Sequence, residues 1–205
     1  MHRKVLSLIF LTLFLVCGVQ AQSTQTETKD DETNLDTQLY LIVGTNQDVV
    51  DSKLPSSLDP VVKQLRATLP FKNYRLAATL INRVKNEGRL DLSWIGGPLA
   101  STMGAATATT PSFSQFKVRQ VRLVQSEGQP VVQMLGFNFG ARIPIQGVGG
   151  IAANGTVLPS FNYENTGIST DISMREAEPV IVGTLNAGPS GDAIILVVSA
   201  KRTAK

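Results

Sequence analysis

The chain has 205 residues, 19 Lys+Arg against 16 Asp+Glu, and an apolar share of 42%. That length and apolar content suit one domain with a packed core. A single cysteine, Cys17, and a single histidine, His2, both lie near the N-terminus, which removes Ser-His-Asp, Cys-His and the usual zinc chemistry from the rest of the chain.

Met1-His2-Arg3-Lys4 is a basic leader, Val5 to Val16 a nearly unbroken apolar run, and Val19 and Ala21 stand at the small-residue positions of a cleavage site. This order predicts a secretory signal peptide over 1–21. The run is short for a bilayer span, which takes about 20 apolar residues. Lipidation of Cys17 is disfavoured, because Val16 precedes it where a lipobox carries Gly, Ala or Ser. Cleavage after Ala21 removes His2, Arg3, Lys4 and Cys17. The mature chain is then near neutral, without thiol or imidazole and without a stable transmembrane segment. Its expected location is periplasmic or secreted.

Residues 22–36, "QSTQTETKDDETNLD", are polar and acidic and read as a disordered linker. Residues 37–205 read as a single β-rich domain. "QLYLIVGT" (38–45) is an apolar strand. Ser57 or Asp59 caps a helix over 59–68, with Pro60 in its first turn and Pro70 after its end. Residues 74–85 fit both a helical stripe and a strand face. Asn86-Glu87-Gly88 and the alternation of Leu90, Leu92 and Trp94 decide for a hairpin of two strands.

Residues 96–112 form a small-residue loop. Phe116, Val118, Val121 and Leu123 mark a strand with Lys117, Arg119 and Arg122 interleaved. Glu127 to Pro130 turns the chain, and "VVQMLGFNFGARIPI" continues extended, its glycines marking bends or bulges. A second flexible loop covers 147–156, and "SFNYENTGISTDISM" is another alternating run. Glu176 to Pro179 leads into a closing hairpin. Val180 to Val182 and Ile194 to Val198 are apolar on consecutive positions, so both strand faces must be covered, by the core or by another chain. The fold class is α+β: one short helix and a mainly antiparallel β-sheet or small β-sandwich.

Motifs for chemistry are sparse. Ser114 and Lys117 match S-x-x-K, but that motif needs a helix, and this stretch alternates like a strand. Glu176 and Glu178 could share a strand face, yet no calcium-loop spacing accompanies them. Gly147 to Gly150 lacks the following helix that would bind phosphate. Asn154-Gly155-Thr156 is a glycosylation sequon only in a host that uses it. A near-neutral exported chain is unsuited to nucleic acid. No catalytic, cofactor-binding or metal-ligating residue is assigned.

From Phe139 to Leu185, about a quarter of the chain, "FGARIPIQGVGG", "FNYENTGISTDISM" and "EAEPVIVGTL" resemble, in order, pieces of the secretin domain. Secretins are the outer-membrane ring proteins of type II and type III secretion and of type IV pili. Ala141, Pro144, Tyr163, Thr166-Gly167-Ile168 and Val180 to Gly183 carry the match. Glu178-Pro179 departs from the family's Gly-Glu, and Thr184 replaces a second glycine. The resemblance implies a stand-alone secretin-like β-domain of a bacterial envelope protein. The expected function is therefore non-enzymatic, through contact with an unknown protein partner or by self-association. The alternative is a small-ligand-binding module, with loops 96–112 and 147–156 closing over a pocket.

Overall fold

The computed structural model describes residues 33–48, 54–96, 111–147, 149, 160–186 and 191–203. The strands are β1 (Asn34–Thr45), β2 (Asn73–Lys85), β3 (Gly88–Ile95), β4 (Phe113–Ser126), β5 (Gln129–Gly147), β6 (Ser160–Arg175), β7 (Val180–Asn186) and β8 (Ala193–Arg202). One helix, α1 (Asp59–Thr68), follows a 3-10 turn at Ser56–Leu58. The strands form two four-stranded sheets, sheet I in the order β2-β1-β8-β7 and sheet II in the order β3-β4-β5-β6. Every pairing is antiparallel. The expected α+β sandwich is the observed one.

The core lies between the sheets. Leu39 and Leu41 of β1 and Leu196 and Val198 of β8 pack there with Phe116, Phe137 and Phe139 of sheet II. The other face of sheet I is also covered: Tyr40, Ile42, Ile195 and Val197 pack under Leu58, Val61 and Leu65. This explains the unbroken apolar runs of β1 and β8. Alternate residues face sheet II and α1, so every position meets apolar surface. β8 is the centre of the core, as one of the two expectations had it, whereas β7 is an edge strand and only half buried.

α1 occupies the expected residues, but neither Ser57 nor Asp59 caps it. The cap position is Leu58, with no side-chain cap hydrogen bond. The preceding 3-10 turn, in which Leu58 N–H donates to the Pro55 carbonyl at 2.9 Å, brings the chain in already wound. At the other end the Leu65 carbonyl accepts from Leu69 N–H at 2.8 Å and from the Tyr74 hydroxyl at 3.0 Å, which ties the start of β2 to the helix. Burial raises the Tyr74 phenol above its ordinary pKa, so it stays a donor.

Two features differ from expectation. β1 begins at Asn34, inside the segment read as linker, and Asp36 is fixed there by Arg83 at 2.8 Å. The hairpin expected over 74–95 consists of two strands that do not pair with each other. β2 pairs with β1 and β3 with β4, so Asn86-Glu87 carries the chain from one sheet to the other. Asn86 holds that corner to both. Its N–H donates to the Thr33 carbonyl at 2.8 Å, and its Oδ1 accepts from Leu123 N–H at 2.8 Å. Crossing between sheets lets Val84 and Leu90 reach the same core.

The bend expected at the glycines of β5 is part of a line of bulges across sheet II. β4 buries Phe116 and Val118 and then Val121; β5 buries Val132 and Met134 and then Phe137 and Phe139. Both strands change phase together. Register shifts fall between Gly88 and Leu90 on one flank and between Met134 and Phe137 on the other. Gly136, at φ +63°, makes the bend. An extra residue at a bulge bends a strand and increases its twist.

Candidate functional site

The face of sheet II turned away from sheet I carries a depression of about 670 Å³, bounded only by residues of β3, β4, β5 and β6. The strand register places its parts. One cross-strand row is Ser93, Gln115, Gly140 and Gly167; the next is Ile95, Phe113, Arg142 and Asn165. Their neighbours Phe116, Phe139 and Ala141 are buried toward the other sheet, so these rows face outward.

The floor is bare backbone at Gly140 and Gly167. The side chain of Gln115 lies across Gly140, where an added Cβ would be 3.1 Å from its Nε2. Gln115 Nε2 donates to Asn138 Oδ1 at 3.4 Å. At Gly167 a Cβ would stand 2.5 Å from the Phe139 carbonyl oxygen, so the approach of β5 to β6 itself requires glycine.

Phe113 lines the depression, and Tyr163 stands beside it against Phe113. Phe113 and Tyr163 are 39% and 36% exposed, with ring centroids 5.9 Å apart and planes at 52°. The Arg142 guanidinium lies 5.6 Å from the Tyr163 centroid, within cation–π range. The Tyr163 hydroxyl donates to the Pro111 carbonyl at 3.0 Å, fixing the ring. Ile95 adds an exposed aliphatic group at 69%.

The features singled out in the sequence fall mostly elsewhere. Ser114 and Lys117 lie on opposite faces of β4. Ser114 is 4% exposed, and Lys117 pairs with Asp91 at 3.3 Å. Arg122 Nε donates to Gln133 Oε1 at 2.8 Å, so two of the three interleaved cations, Lys117 and Arg122, are engaged along the sheet. The Glu176 carboxylate accepts from Arg202 at 2.8 Å, and that hydrogen bond holds its pKa below the usual value. Glu176 is thus a strut between the β6–β7 turn and the end of β8. No group of three metal-ligating side chains occurs among the described residues. The ends of loop 96–112, Ile95 and Phe113, border the depression. Residues 97–110 of that loop, and residues 148 and 150–156 of the second, lie outside the described residues.

Sequence reasoning missed the Gly140–Gly167 pair and the Phe113, Arg142, Tyr163 cluster as parts of one place. The available signal was glycine and aromatic residues at positions that a β5–β6 hairpin would bring opposite each other.

No protein-family model matches the chain, and no curated protein does. Solved structures similar to it are secretins, the family of the partial sequence resemblance. The Salmonella SPI-1 type III secretion injectisome secretin InvG, in its open gate state, matches over 97% of this chain and 66% of its own, at 11% identity and TM-score 0.37. PulD, in the Klebsiella pneumoniae type II secretion system outer membrane complex, matches over 84% of this chain and 39% of its own, at 10% identity and TM-score 0.33. The V. cholerae type IV competence pilus secretin PilQ matches over 84% of this chain and 59% of its own, at 12% identity and TM-score 0.31. The chain thus spans about two thirds or less of these proteins. It is an antiparallel β-sandwich with one covering helix that partially resembles the secretin domain.

Proposed function

We propose that the chain is an exported, non-enzymatic protein of a bacterial envelope, a stand-alone secretin-like β-domain in a secretion or pilus system. Residues 1–21 serve as its signal peptide. It works by contact with a protein partner or a second copy of itself. The observation that carries this reading is β6. It is a 16-residue strand at the edge of sheet II, without proline or lysine. Natural sheets blunt their edges with such residues or keep edge strands short. A long edge with no partner strand among the described residues is suited to strand addition. The secretin resemblance runs through this strand, at Tyr163 and at Thr166-Gly167-Ile168.

Sedimentation of the mature chain from micromolar to several hundred micromolar tests the reading. Concentration-dependent association is expected. It should disappear when Thr170→Lys and Ser173→Lys, two exposed positions of β6, charge the edge. A protein that stays monomeric throughout, and that crosslinks to nothing in the envelope of its own cell, would overturn it.

A second reading, a small-ligand-binding module, is favoured by one observation: the depression on sheet II. Its volume falls in the range of ligand sites, roughly 300–1,000 Å³.

A further inference from the structure

We propose that the depression on the outer face of sheet II is a subsite for a neutral saccharide, laid over Gly140 and Gly167 with one ring face against Phe113 and Tyr163. This rests on the ligand-binding reading and names its substrate class.

Gly140 is the first observation. Gly167 is explained by the fold, because a Cβ there would collide with the Phe139 carbonyl oxygen at 2.5 Å. Gly140 is not so explained. The contacts a Cβ would make there are with the flexible side chain of Gln115, the nearest at 3.1 Å. Its φ lies outside the left-handed region, unlike that of Gly136. Glycine in a strand interior is unfavourable, and where the fold does not demand it, it marks the close approach of another group.

Chemistry selects the guest. The amides of Gln115, Asn138 and Asn165 and the hydroxyl of Ser93 line the depression beside the apolar Phe139 and Ile168. Each amide both donates and accepts, and so does the hydroxyl. A wholly apolar guest would strip water from these groups and leave them unpaired. No carboxylate lines the site, so no negative charge there pairs with a cation. The one guanidinium, Arg142, already lies over the Tyr163 ring, and the amide oxygens would face an anion with their negative ends. An extended peptide binds by pairing with a free strand edge. A strand added at the free edge of β3 or β6 would lie beside the sheet, not over the face that holds the depression.

What remains is an uncharged molecule with many groups that both donate and accept, and with one apolar face for two half-exposed rings. A pyranose has both. Its hydroxyls match the amides, and its C–H face suits the negative face of an aromatic ring.

The test is titration of the ¹⁵N-labelled mature chain with two probes, a β-1,4-linked trimer of N-acetylglucosamine and cellotriose, alongside inorganic phosphate and the apolar dye ANS. At least one saccharide should shift the resonances of Gln115, Asn138 and Gly167 with a Kd of about 1 mM or tighter. Phe113→Ala and Gly140→Val should each weaken that binding tenfold or more, with an unchanged melting temperature. Saccharide shifts absent at about 10 mM, or variants that bind as the parent does, would overturn the proposal. If phosphate or ANS then shifted the same resonances, the ligand-binding reading would stand without the saccharide. If nothing bound, both would fall.

Discussion

The two-sided burial of β8 makes a sharp prediction. Ile195 and Leu196 are neighbours in sequence, and both are 0% exposed, but they face different layers. Leu196 packs between the sheets, and Ile195 packs under α1. Substituting either by alanine removes three carbon groups. At about 0.8 kcal/mol per buried CH₂ the transfer cost is roughly 2.4 kcal/mol. The cavity left behind raises it to about 3–4 kcal/mol, within the range found for such substitutions. For a domain of this size that lowers the melting temperature by roughly 6–16 °C. Ile81→Ala is the control, because Ile81 is 68% exposed and its truncation should stay within about 0.5 kcal/mol. Urea unfolding followed by circular dichroism gives all three values. If Leu196→Ala cost about 3 kcal/mol while Ile195→Ala stayed near the control, α1 would not cover sheet I as described.

Gly167→Ala should cost about 1–3 kcal/mol, since its Cβ would meet backbone at 2.5 Å, whereas Gly140→Ala, which meets the Gln115 side chain, should change stability little. Paired urea titrations separate them, and equal costs would refute the strand-approach argument. Ala177 sits at φ 66°, where an L-residue is strained, so Ala177→Gly should stabilise by about 0.5–1 kcal/mol in the same assay. Hydrogen bonds from Arg83 and Arg202 lower the pKa of Asp36 and Glu176 in the folded state. Their contribution is complete above the unfolded carboxylate values, near pH 4, and is lost as pH falls through the lower folded values. Urea midpoints should fall below about pH 5, and the Asp36→Asn, Glu176→Gln double variant should show a shallower fall. An identical slope would remove both pairs from the acid response.

How much of this was legible depended on whether the deciding partner was near in sequence. α1 was readable because Pro60, Val61, Leu65 and Pro70 set it locally. β1 and β8 were readable because an unbroken apolar run must be covered on both faces, whatever covers it. The sheet crossing at Asn86 was not. Two alternating runs around a glycine turn look the same whether they pair with each other or with separate neighbours, and here β1 and β4 claim one each. The step from Val118 to Val121 was visible but not recognised as a bulge, because its matching step, Met134 to Phe137, lies on another strand. The depression was illegible for the same reason. Its floor joins positions 93, 115, 140 and 167, which only strand register brings into one row.

The two outer faces of the sandwich are built differently, and the difference bears on function. Sheet I is closed by α1, and Tyr40, Ile42, Ile195 and Val197 beneath it are buried apolar residues. Sheet II has no such cover among the described residues, and the middle of its outer face is polar, as a solvated sheet face should be. A face made only for water would carry that pattern to its end. Instead, Ile95, Phe113 and Tyr163 stand exposed on one face of the sheet, beside a floor that is glycine at positions 140 and 167. Full burial of such a side chain is worth about 1.5–3 kcal/mol, and each of these, 36–69% exposed, forgoes part of it, so three of them side by side are significant where a single one would be ordinary. A guest on that face would recover part of that burial.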